Sequence, residues 1–505
     1  MKLRAEVEIH LGADPSSACV TDLTTGLNLV VSRDIASFLT RLRDEAWASS
    51  SAASEESLLA FFRQLGLMTD ATPEQARLQQ ALYILTDAEF AELPRVRQTV
   101  QRAYAHTALH REQLGQALAK GEWDLEDLPL LHKSQLRRHF PRGLTVDTID
   151  LRTALRRGDL VVASTSGTTG ERLQVYSDTR VERLPHDFAS LWGLTSLPSG
   201  RPLRTAVLTS PSCTGGICTR RNTTMQERIS FEHTLFLETT RDPFELTHAQ
   251  ISAIARELEQ FTPDLWIVNP VYLLLLTELA EGFGIRLPRP HAIVTTYQYS
   301  SPAQHERLSR AHGAPVFQMY SATELGSSQI GISCRHGALH VRLDHAFVEI
   351  VKDGVRVEPG RLGNPVVTTH HPSMPLVRYQ LTDLARFALA PCACEVGSAW
   401  PTLLVEGRER DAFSCRGQLV TTAMVDAALA GLPVLLYQLH ERRPGAFSIA
   451  IIAERDSALS LEDVRARLST LLHPESLELT TAARLSFEES GKFRYTHPYT
   501  EPAHG

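Results

Sequence analysis

The segment STSGTTGERLQVYSD, residues 164–178, has the composition of a loop that binds phosphate groups. Two glycines and four hydroxyl residues follow directly after the apolar run DLVVA: Thr165, Ser166, Gly167, Thr168, Thr169 and Gly170. Glycines let the backbone approach an anion closely, and hydroxyl and N–H groups donate hydrogen bonds to phosphate oxygens. The spacing differs from that of the GxxxxGK[ST] loop, so a flexible surface turn is the alternative interpretation.

A second group of residues has the types and spacing of a zinc site. A Cys-x5-His pair is followed about fifty residues later by Cys-x-Cys, which gives four candidate ligands: Cys334, His340, Cys392 and Cys394. Three thiolates and one imidazole form a tetrahedral zinc set that leaves no open position, as in structural sites. His336 is an alternative nitrogen ligand, and buried cysteines without a metal are the alternative to the whole site.

Five segments, in order along the chain, resemble the motifs of the acyl-adenylate-forming superfamily, which includes acyl-CoA synthetases and peptide-synthetase adenylation domains. TSGTTG is similar to its phosphate loop, and MYSATELG (319–326) is similar to its Tyr-Gly-x-Thr-Glu motif. PLVRYQLTDLARF (375–387) resembles the Arg-Tyr-x-Thr-Gly-Asp-Leu motif. LVEGRERDAFSCRGQLV resembles the segment that joins the two catalytic domains, and SGKFRY (490–495) resembles the terminal Gly-Lys loop.

Within this superfamily, LEDLPLLHKSQLRRHFPRGL (125–144) looks like a segment typical of phenylacetate–CoA ligases. Several relatives in that branch have a similar Cys, His, Cys-x-Cys arrangement, which implies a structural zinc. The resemblance covers about residues 85–497. It implies a multidomain α/β fold, with a large N-terminal α/β catalytic domain and a small mobile C-terminal α+β domain.

The resemblance also implies a role for each matching residue. The hydroxyls of the phosphate loop would bind the β- and γ-phosphates of ATP. Tyr320 would lie against adenine, Thr323 would contact the α-phosphate, and Glu324 would hold magnesium. Asp383 would accept hydrogen bonds from both ribose hydroxyls, and Arg408 would secure the ribose or phosphate side near the hinge. Lys492 would reach the α-phosphate and the attacking carboxylate, where it would stabilise the charge of the transition state.

Four positions depart from the family pattern. Glu171 stands where a lysine commonly follows the phosphate loop, so one positive contact is missing unless Arg172 replaces it. Thr382 replaces the usual glycine before the ribose-binding aspartate. Arg410 occupies a position where the hinge often has aspartate, and Leu419 one where this branch often has asparagine. These departures leave the adenylation site intact but weaken the expectation for domain rotation and the second half-reaction.

The acid-binding pocket is expected between PSCTGGICT, the predicted helix NPVYLLLLTEL and TTYQYSS. Tyr297, Gln298 and Tyr299 stand where the branch lines its adenine and acyl pockets, which favours an aromatic or medium-sized apolar acid. Ordinary core packing is the alternative for these side chains. Cys213 and Cys218 are spaced Cys-x4-Cys without a matching second pair, so they are interpreted as pocket or core residues.

The elements that must position these residues fall into three regions. Residues 1–80 predict two strands around a Thr-Gly turn, followed by two amphipathic helices at 33–46 and 54–68. This order resembles small winged-helix-like modules of the PqqD type, which hold peptides; a plain docking or dimerisation module is the alternative. Residues 85–408 alternate helices with strands such as RTAVLTS and HAIVTTY, and 409–505 predict a smaller α+β domain.

The composition excludes several other classes of protein. With 505 residues, 43% hydrophobic and 22% charged, the chain is expected to be globular with two or three domains. A net charge of −7 without a long Lys/Arg stripe argues against a nucleic-acid partner. The N-terminus lacks a signal-peptide pattern, and the longest apolar stretches are too short and interrupted to span a bilayer. Seven cysteines do not form a disulfide framework, so a cytoplasmic location with reduced thiols is expected.

Three functions are compatible with these residues. The first is an ATP- and magnesium-dependent acid–thiol ligase that forms an acyl-AMP and then an acyl-CoA. The second is an adenylating enzyme that transfers the acyl group to an amine, a carrier protein or a peptide held by the N-terminal module. The third is a non-catalytic nucleotide-binding scaffold, against which the intact Glu324, Asp383 and Lys492 argue.

Overall fold

We describe the protein from a computed structural model. It describes these residues: 7–11, 17–22, 27–32, 39–40, 87–121, 123–165, 173–181, 192–194, 197, 201–213, 223–230, 233–326, 328–394, 396–397 and 400–500.

The N-terminal region contains a three-stranded antiparallel sheet. Its strands are β1 (Val7–Leu11), β2 (Ser17–Asp22) and β3 (Leu27–Ser32), in that spatial order. The predicted pair of strands around the Thr-Gly turn corresponds to β2 and β3, and β1 adds a strand before them. Of the two predicted helices, only residues 39–40 are described, and they are helical. The winged-helix-like assignment therefore rests largely on residues outside the described part of the chain.

Between residue 87 and the next strand, the described part of the chain forms four α-helices. They are α1 (Asp87–His106), α2 (Ala108–Leu118), α3 (Lys133–His139) and α4 (Leu151–Arg157). Polar groups cap two of them: the Thr107 side chain accepts from the amide of His110 at the start of α2, and Asp150 accepts from two amides at the start of α4. The hairpin of β4 (Leu160–Ser164) and β5 (Gln174–Asp178) follows, and the predicted phosphate loop connects its strands.

The large domain is built on an eight-stranded sheet of order β13-β12-β11-β10-β9-β6-β8-β7. The strands are β6 (Thr205–Leu208), β7 (Ile229–Ser230), β8 (Thr234–Phe236), β9 (Leu265–Val268), β10 (Ala292–Thr295), β11 (Val316–Tyr320), β12 (Gly331–Ser333) and β13 (Leu339–Val341). The run from β8 through β6, β9 and β10 to β11 is parallel. Its helices are α5 (His248–Phe261), α6 (Pro270–Gly282) and α7 (Pro302–His312). This confirms the predicted alternation of strands and helices, which places loops at the carboxyl ends of the parallel strands.

Antiparallel strands complete the large domain. One sheet contains β14 (Ala346–Lys352), β15 (Val355–Arg356), β16 (Asn364–Thr369) and β17 (Tyr379–Gln380). A separate ladder pairs β18 (Asp383–Phe387) with β19 (Leu403–Arg408). The residues of the RYQLTDL segment thus span two strands and the short turn between them.

The C-terminal region has the predicted α+β pattern. A hairpin of β20 (Phe413–Cys415) and β21 (Gln418–Val420) leads to α8 (Thr422–Leu429). The remaining elements are β22 (Val434–Arg443), β23 (Ala446–Ala453), α9 (Leu461–Leu472), β24 (Ser476–Thr481) and β25 (Thr496–His497), with sheet order β24-β23-β22-β25.

One apolar core joins the large domain to the C-terminal region. Leu208, Tyr272 and Leu308 of the large domain belong to the same buried cluster as Val425 and Leu439. Burial of this shared surface stabilises a docked arrangement, in which loops of the C-terminal region face the carboxyl ends of the large sheet. Among the described helices, none combines the length and apolar character needed to cross a membrane.

Candidate active site

The β4–β5 hairpin fixes the base of the predicted phosphate loop. The amide of Thr165 donates to the carbonyl of Leu173 (2.9 Å), and the amide of Leu173 donates to the Thr165 hydroxyl (3.0 Å). The Thr165 hydroxyl therefore links the two ends of the loop, and the residue is buried. The positions 166–170, which carry the other predicted phosphate ligands, lie outside the described residues.

Tyr320 and Asp383 meet where β11 ends and β18 begins. The Tyr320 phenol donates to Oδ2 of Asp383 (2.7 Å), while Nε of Arg408 lies 3.8 Å from Oδ1. Asp383 and Arg408 are paired residues of the β18–β19 ladder, so backbone register brings them together. Burial, with the adjacent Asp383 charge, raises the pKa of Tyr320 well above its usual range. The phenol is thus a hydrogen-bond donor at neutral pH.

Glu324 lies in a single turn of 3-10 helix after β11. This turn, Thr323–Leu325, ends at Gly326, whose φ of 64° and close approach to the Tyr176 carbonyl leave no room for a side chain. The turn therefore packs directly against β5. The Glu324 carboxylate is 3.2 Å from Nζ of Lys133 in α3, a cation that the sequence motifs did not single out.

The loop of Lys492 docks on the large domain through its neighbours. The Ser210 hydroxyl donates to the carbonyl of Ser490 (2.7 Å). Gly491 has a φ of 75° and lies so close to Ser210 and the Tyr272 hydroxyl that any side chain would clash with them. This explains why a glycine precedes Lys492. Only a glycine fits against Ser210 and Tyr272, and this close packing holds the Lys492 loop at the site.

Lys492 lies among the other predicted catalytic residues. Burial and the nearby Arg408 charge lower its pKa, while the charges of Glu324 and Asp383 oppose that shift. The structure thus brings together residues from the end of β11, the β18–β19 ladder and the C-terminal loop, as the motif order predicted. Cys213, whose thiol pKa burial raises, is also close to Lys492, which places the PSC segment at the site.

The three residues predicted to line the pocket lie in different surroundings. Tyr297 adopts a left-handed backbone conformation, with φ of 74°. Gln298 links two parts of the site, since its Oε1 accepts from Asn269 (3.0 Å) and from the amide of Phe493 (3.3 Å). Tyr299 instead approaches Asp426 of the C-terminal region. Gln298 therefore contacts the loop that carries Lys492, Tyr299 interacts with the C-terminal region, and contact of the three residues with an acid stays a prediction.

The four predicted zinc ligands cluster. The ligand atoms of Cys334, His340, Cys392 and Cys394 all lie within 4.8 Å of one another. The Cys334 and Cys392 sulfurs are 3.7 Å apart, close to the separation of about 3.8 Å that Zn–S bonds of about 2.3 Å give in a tetrahedron. His336, the alternative ligand, instead contacts the side chain of Arg335.

The chemistry of this cluster also suits a cation. Burial raises the pKa of Cys394 to about 12, and the neighbouring Cys334 adds to the rise. A bound zinc would lower the pKa of these thiols again because it stabilises thiolates. Burial lowers the pKa of His340, which favours the neutral imidazole that binds metal, and its Nδ1 lies 3.1 Å from the Trp400 carbonyl. Nε2 is the ring nitrogen that faces Cys394 (3.2 Å).

The RYQLTDL motif also contains Arg378, whose contacts are with other parts of the protein interior. Arg378 is buried and pairs with the buried Glu349 through Nε (3.1 Å). Its guanidinium also donates to the carbonyl oxygens of Glu126 and Leu128. Arg378 therefore ties the 125–133 segment to the strands that carry Asp383, and it is held by its partners rather than turned to the site.

No protein-family model matches the chain. A phenylacetate–coenzyme A ligase of Thermus thermophilus is 25% identical over 375 residues, covering 70% of this chain and 78% of that protein. A phenylacetate–coenzyme A ligase of Pseudomonas putida is 24% identical over 389 residues, with coverage of 70% and 78%.

Solved structures match over a larger share of the chain. A 2-hydroxyisobutyryl-CoA ligase in the postadenylation state, with 2-HIB-AMP, gives a TM-score of 0.60 at 18% identity, covering 82% of this chain and 90% of that one. The same enzyme in an open conformation, with 2-HIB-AMP and CoA, gives 0.50. The structural likeness shows the fold, and the curated relatives confirm the predicted resemblance to the superfamily and its phenylacetate–CoA ligase-like branch.

Proposed function

We propose that this chain, an ATP-dependent adenylate-forming ligase similar to the phenylacetate–CoA ligases, activates a carboxylic acid as acyl-AMP and transfers the acyl group to a thiol, with CoA as the acceptor. The observation that carries this proposal is the position of Lys492. The loop that carries it docks at Ser210, just after β6 of the large sheet, where Gly491 packs against Ser210 and Tyr272, and the charges of Glu324 and Asp383 act on the lysine there.

For adenylation, each group has a role that suits its surroundings. Tyr320 packs against adenine, and Asp383, already oriented by the Tyr320 phenol, accepts hydrogen bonds from the ribose hydroxyls. Lys492 orients the acid carboxylate toward the α-phosphate and stabilises the charge that develops as pyrophosphate leaves. Thr323, exposed in the turn before Glu324, contacts the α-phosphate, and the hydroxyls of the 165–170 loop bind the β- and γ-phosphates.

The Glu324 carboxylate fits a magnesium ion. It offers the oxygen ligand that this metal prefers, and the Lys133 ammonium at 3.2 Å shows that a cation is accommodated beside it. Bound there, magnesium would neutralise the phosphates of ATP.

For thioester formation, Lys492 must leave the site so that the thiol can approach the acyl-AMP. The segment from Arg408, the last residue of β19, to Asp411 connects the two parts of the chain and acts as the hinge. We assign 85–408 to the adenylation domain and 409–505 to the mobile domain. The acid is aromatic or of medium size and apolar, in a pocket near Cys213, Tyr297 and Gln298.

The test is ATP–pyrophosphate exchange against a panel of aryl, fatty and amino acids. The wild-type chain should show exchange that depends on one class of acid. Lys492→Ala should lower it at least about 100-fold because it removes the transition-state cation, whereas Lys352→Ala, a surface control, should leave it unchanged. Absence of exchange with every acid would contradict the proposal.

A second acceptor is favoured by the additional N-terminal sheet. In this alternative, residues 1–80 hold a peptide, carrier or amine substrate, or mediate homodimer formation. Deletion of 1–80 should then abolish acyl transfer to the macromolecule but leave pyrophosphate exchange intact. Unchanged turnover with free CoA in the deletion variant would favour thioester synthesis.

Zinc at Cys334, His340, Cys392 and Cys394 completes the proposed cofactors. It would connect the loop after β12 to the loop after β18, and so order two segments that flank the nucleotide site. In the described part of the chain, the cysteines at 213, 334, 392, 394 and 415 are not in disulfides, which suits the reducing, cytoplasmic location that we propose.

A further inference from the structure

The ion pair between Lys133 and Glu324 joins two segments far apart in the sequence. Nζ of Lys133 lies 3.2 Å from Oε1 of Glu324. The lysine side chain is 36% exposed and the carboxylate 16%, so the pair borders the open side of the site rather than the core. The mechanism proposed above gives Lys133 no role, although its partner is the proposed magnesium ligand.

The backbone before Lys133 is held firmly against the nucleotide-binding strands. The amide of Leu131 donates to the Arg378 carbonyl (2.9 Å), and the amide of Gln380 donates to the Leu131 carbonyl (2.9 Å). Leu131 and Arg378 are buried. The backbone of Lys133 is therefore fixed, two residues after the pairing of Leu131 with β17. Its long, flexible side chain leaves the ammonium free to move a few ångströms.

Tyr379, which pairs with Leu131, is also close enough to Glu324 to be affected by its charge. Burial and the nearby Glu324 charge raise the pKa of its phenol, with a further contribution from Asp383. Leu131 is paired with Tyr379, so the start of α3 lies beside the same group of carboxylates.

Among the described residues, the Arg408 guanidinium lies 3.8 Å from Asp383, the proposed ribose ligand, and burial together with the Arg408 charge lowers the pKa of Lys492. In the sequence, Glu171 stands where a lysine commonly follows the phosphate loop, with Arg172 after it. A metal ion at Glu324 would repel the Lys133 ammonium, which must then find another anion. The β- and γ-phosphates of an ATP bound with that magnesium would supply such an anion.

We propose that Lys133 is a phosphate-binding residue: it neutralises Glu324 while the site lacks nucleotide, and it contacts the β- and γ-phosphates of ATP once magnesium occupies Glu324. This inference rests on the proposed function. A purely structural ion pair is the competing explanation, in which Lys133 only orients Glu324.

The test compares MgATP with AMP, measured as dissociation constants by isothermal titration calorimetry on the full chain. AMP keeps the base, the ribose and the α-phosphate but lacks the two phosphates that Lys133 would contact. Lys133→Gln should weaken MgATP binding about 10-fold, the size of one charge-assisted hydrogen bond, and leave AMP binding within 2-fold. Lys133→Arg should retain most of the MgATP affinity. Lys120→Gln, at an exposed position after α2, is the matched control.

Two results would overturn the inference. MgATP affinity unchanged in Lys133→Gln at saturating magnesium would leave Lys133 without a phosphate contact. An equal loss for MgATP and AMP would indicate that the lysine only shapes the site. These outcomes are distinct from failure of the proposed function: a wild-type chain that binds MgATP but shows no acid-dependent exchange contradicts the function and leaves the binding role of Lys133 standing.

Discussion

The phenol of Tyr320 donates a 2.7 Å hydrogen bond to Oδ2 of Asp383, and so connects the last residue of β11 to the first residue of β18. Because the Arg408 guanidinium lies on the other side, near Oδ1, the carboxylate is held between two partners. Its orientation is therefore set before a ribose arrives, which reduces the entropy lost on binding.

The first prediction concerns how unequally these two residues contribute to nucleotide affinity. Asp383→Ala should weaken AMP binding at least about 10-fold, because the ribose loses its hydrogen bonds to a charged acceptor. Tyr320→Phe should weaken it less than about 5-fold, since the aromatic ring proposed to face adenine remains. Equilibrium titration with AMP measures both effects. Inorganic pyrophosphate, which has no ribose, should bind both variants as it binds the wild type; similar losses of AMP affinity in the two variants would contradict the prediction.

The second prediction concerns the cysteine cluster. Cys394→Ser should remove the bound zinc, measured by elemental analysis of the purified protein, and lower the thermal unfolding temperature by several degrees. The physical reason is that metal binding to the folded cluster adds directly to the free energy of unfolding. Cys415→Ser, a half-buried cysteine outside the cluster, is the control. Equal zinc content in the two variants would show that the cluster is not a metal site.

The order of the motifs was enough to predict which residues would meet. Tyr320 ends β11, Glu324 lies in the turn after it and Asp383 begins β18, whereas Lys492 lies in the loop between β24 and β25. The strands β6, β9, β10 and β11 were likewise predicted from short apolar runs, since buried parallel strands have that composition. The zinc set followed from residue chemistry, and the cluster distinguishes His340 from His336.

Contacts made by ordinary residues could not be predicted in the same way. Lys133 lies outside the phosphate-loop and adenine motifs. It reaches Glu324 because Leu131, two residues before it, forms a bridge with Tyr379 of β17. Tyr299, predicted to line the adenine and acyl pockets, also interacts with Asp426 of α8 in the C-terminal region, a contact that the sequence did not predict. Such contacts depend on how two domains dock, and local sequence patterns do not specify docking.

The third prediction uses the buried carboxyl of Asp426 at this interface. Tyr437 donates to its Oδ1 (2.7 Å), and the Tyr299 phenol of the large domain lies near the same group. Burial raises the pKa of Asp426 to about 6 from its ordinary 3.8. A raised pKa means that the protonated form is favoured in the folded state. Its stabilising contribution is thus complete below about pH 4 and is lost as the pH rises through about 6.

Asp426→Asn should therefore increase the free energy of unfolding at pH 8 by about 1–3 kcal/mol, because the amide is never charged. The gain should shrink at pH 5, where the wild-type carboxyl is largely protonated. Thermal or urea unfolding at the two pH values measures this difference, with the exposed Asp463→Asn as a control. A gain that is the same at both pH values would contradict the assignment.

The fourth prediction concerns the hinge. Nη2 of Arg410 lies 2.7 Å from Oε1 of Glu488, and the amide of Glu488 donates to the carbonyl of Lys492 (2.9 Å). The proposed hinge segment is thus paired with the same loop that carries Lys492. This pair forms in the arrangement that places Lys492 in the site, and rotation of the C-terminal domain would have to break it.

Arg410→Ala should slow adenylation by about 3- to 10-fold, since a half-buried ion pair contributes roughly 1 kcal/mol to the arrangement that reacts. It should not slow acyl transfer from preformed acyl-AMP to CoA, because that step uses a different domain orientation. Single-turnover rates of adenylation and of acyl transfer, measured for the wild type and the variant, show how much each half-reaction is slowed. Arg443→Ala, which breaks the more exposed pair with Glu475 in the same domain, is the matched control and should change neither rate. If Arg410→Ala slowed both half-reactions equally, the pair would stabilise the domain as a whole and would have no preference for the adenylation arrangement.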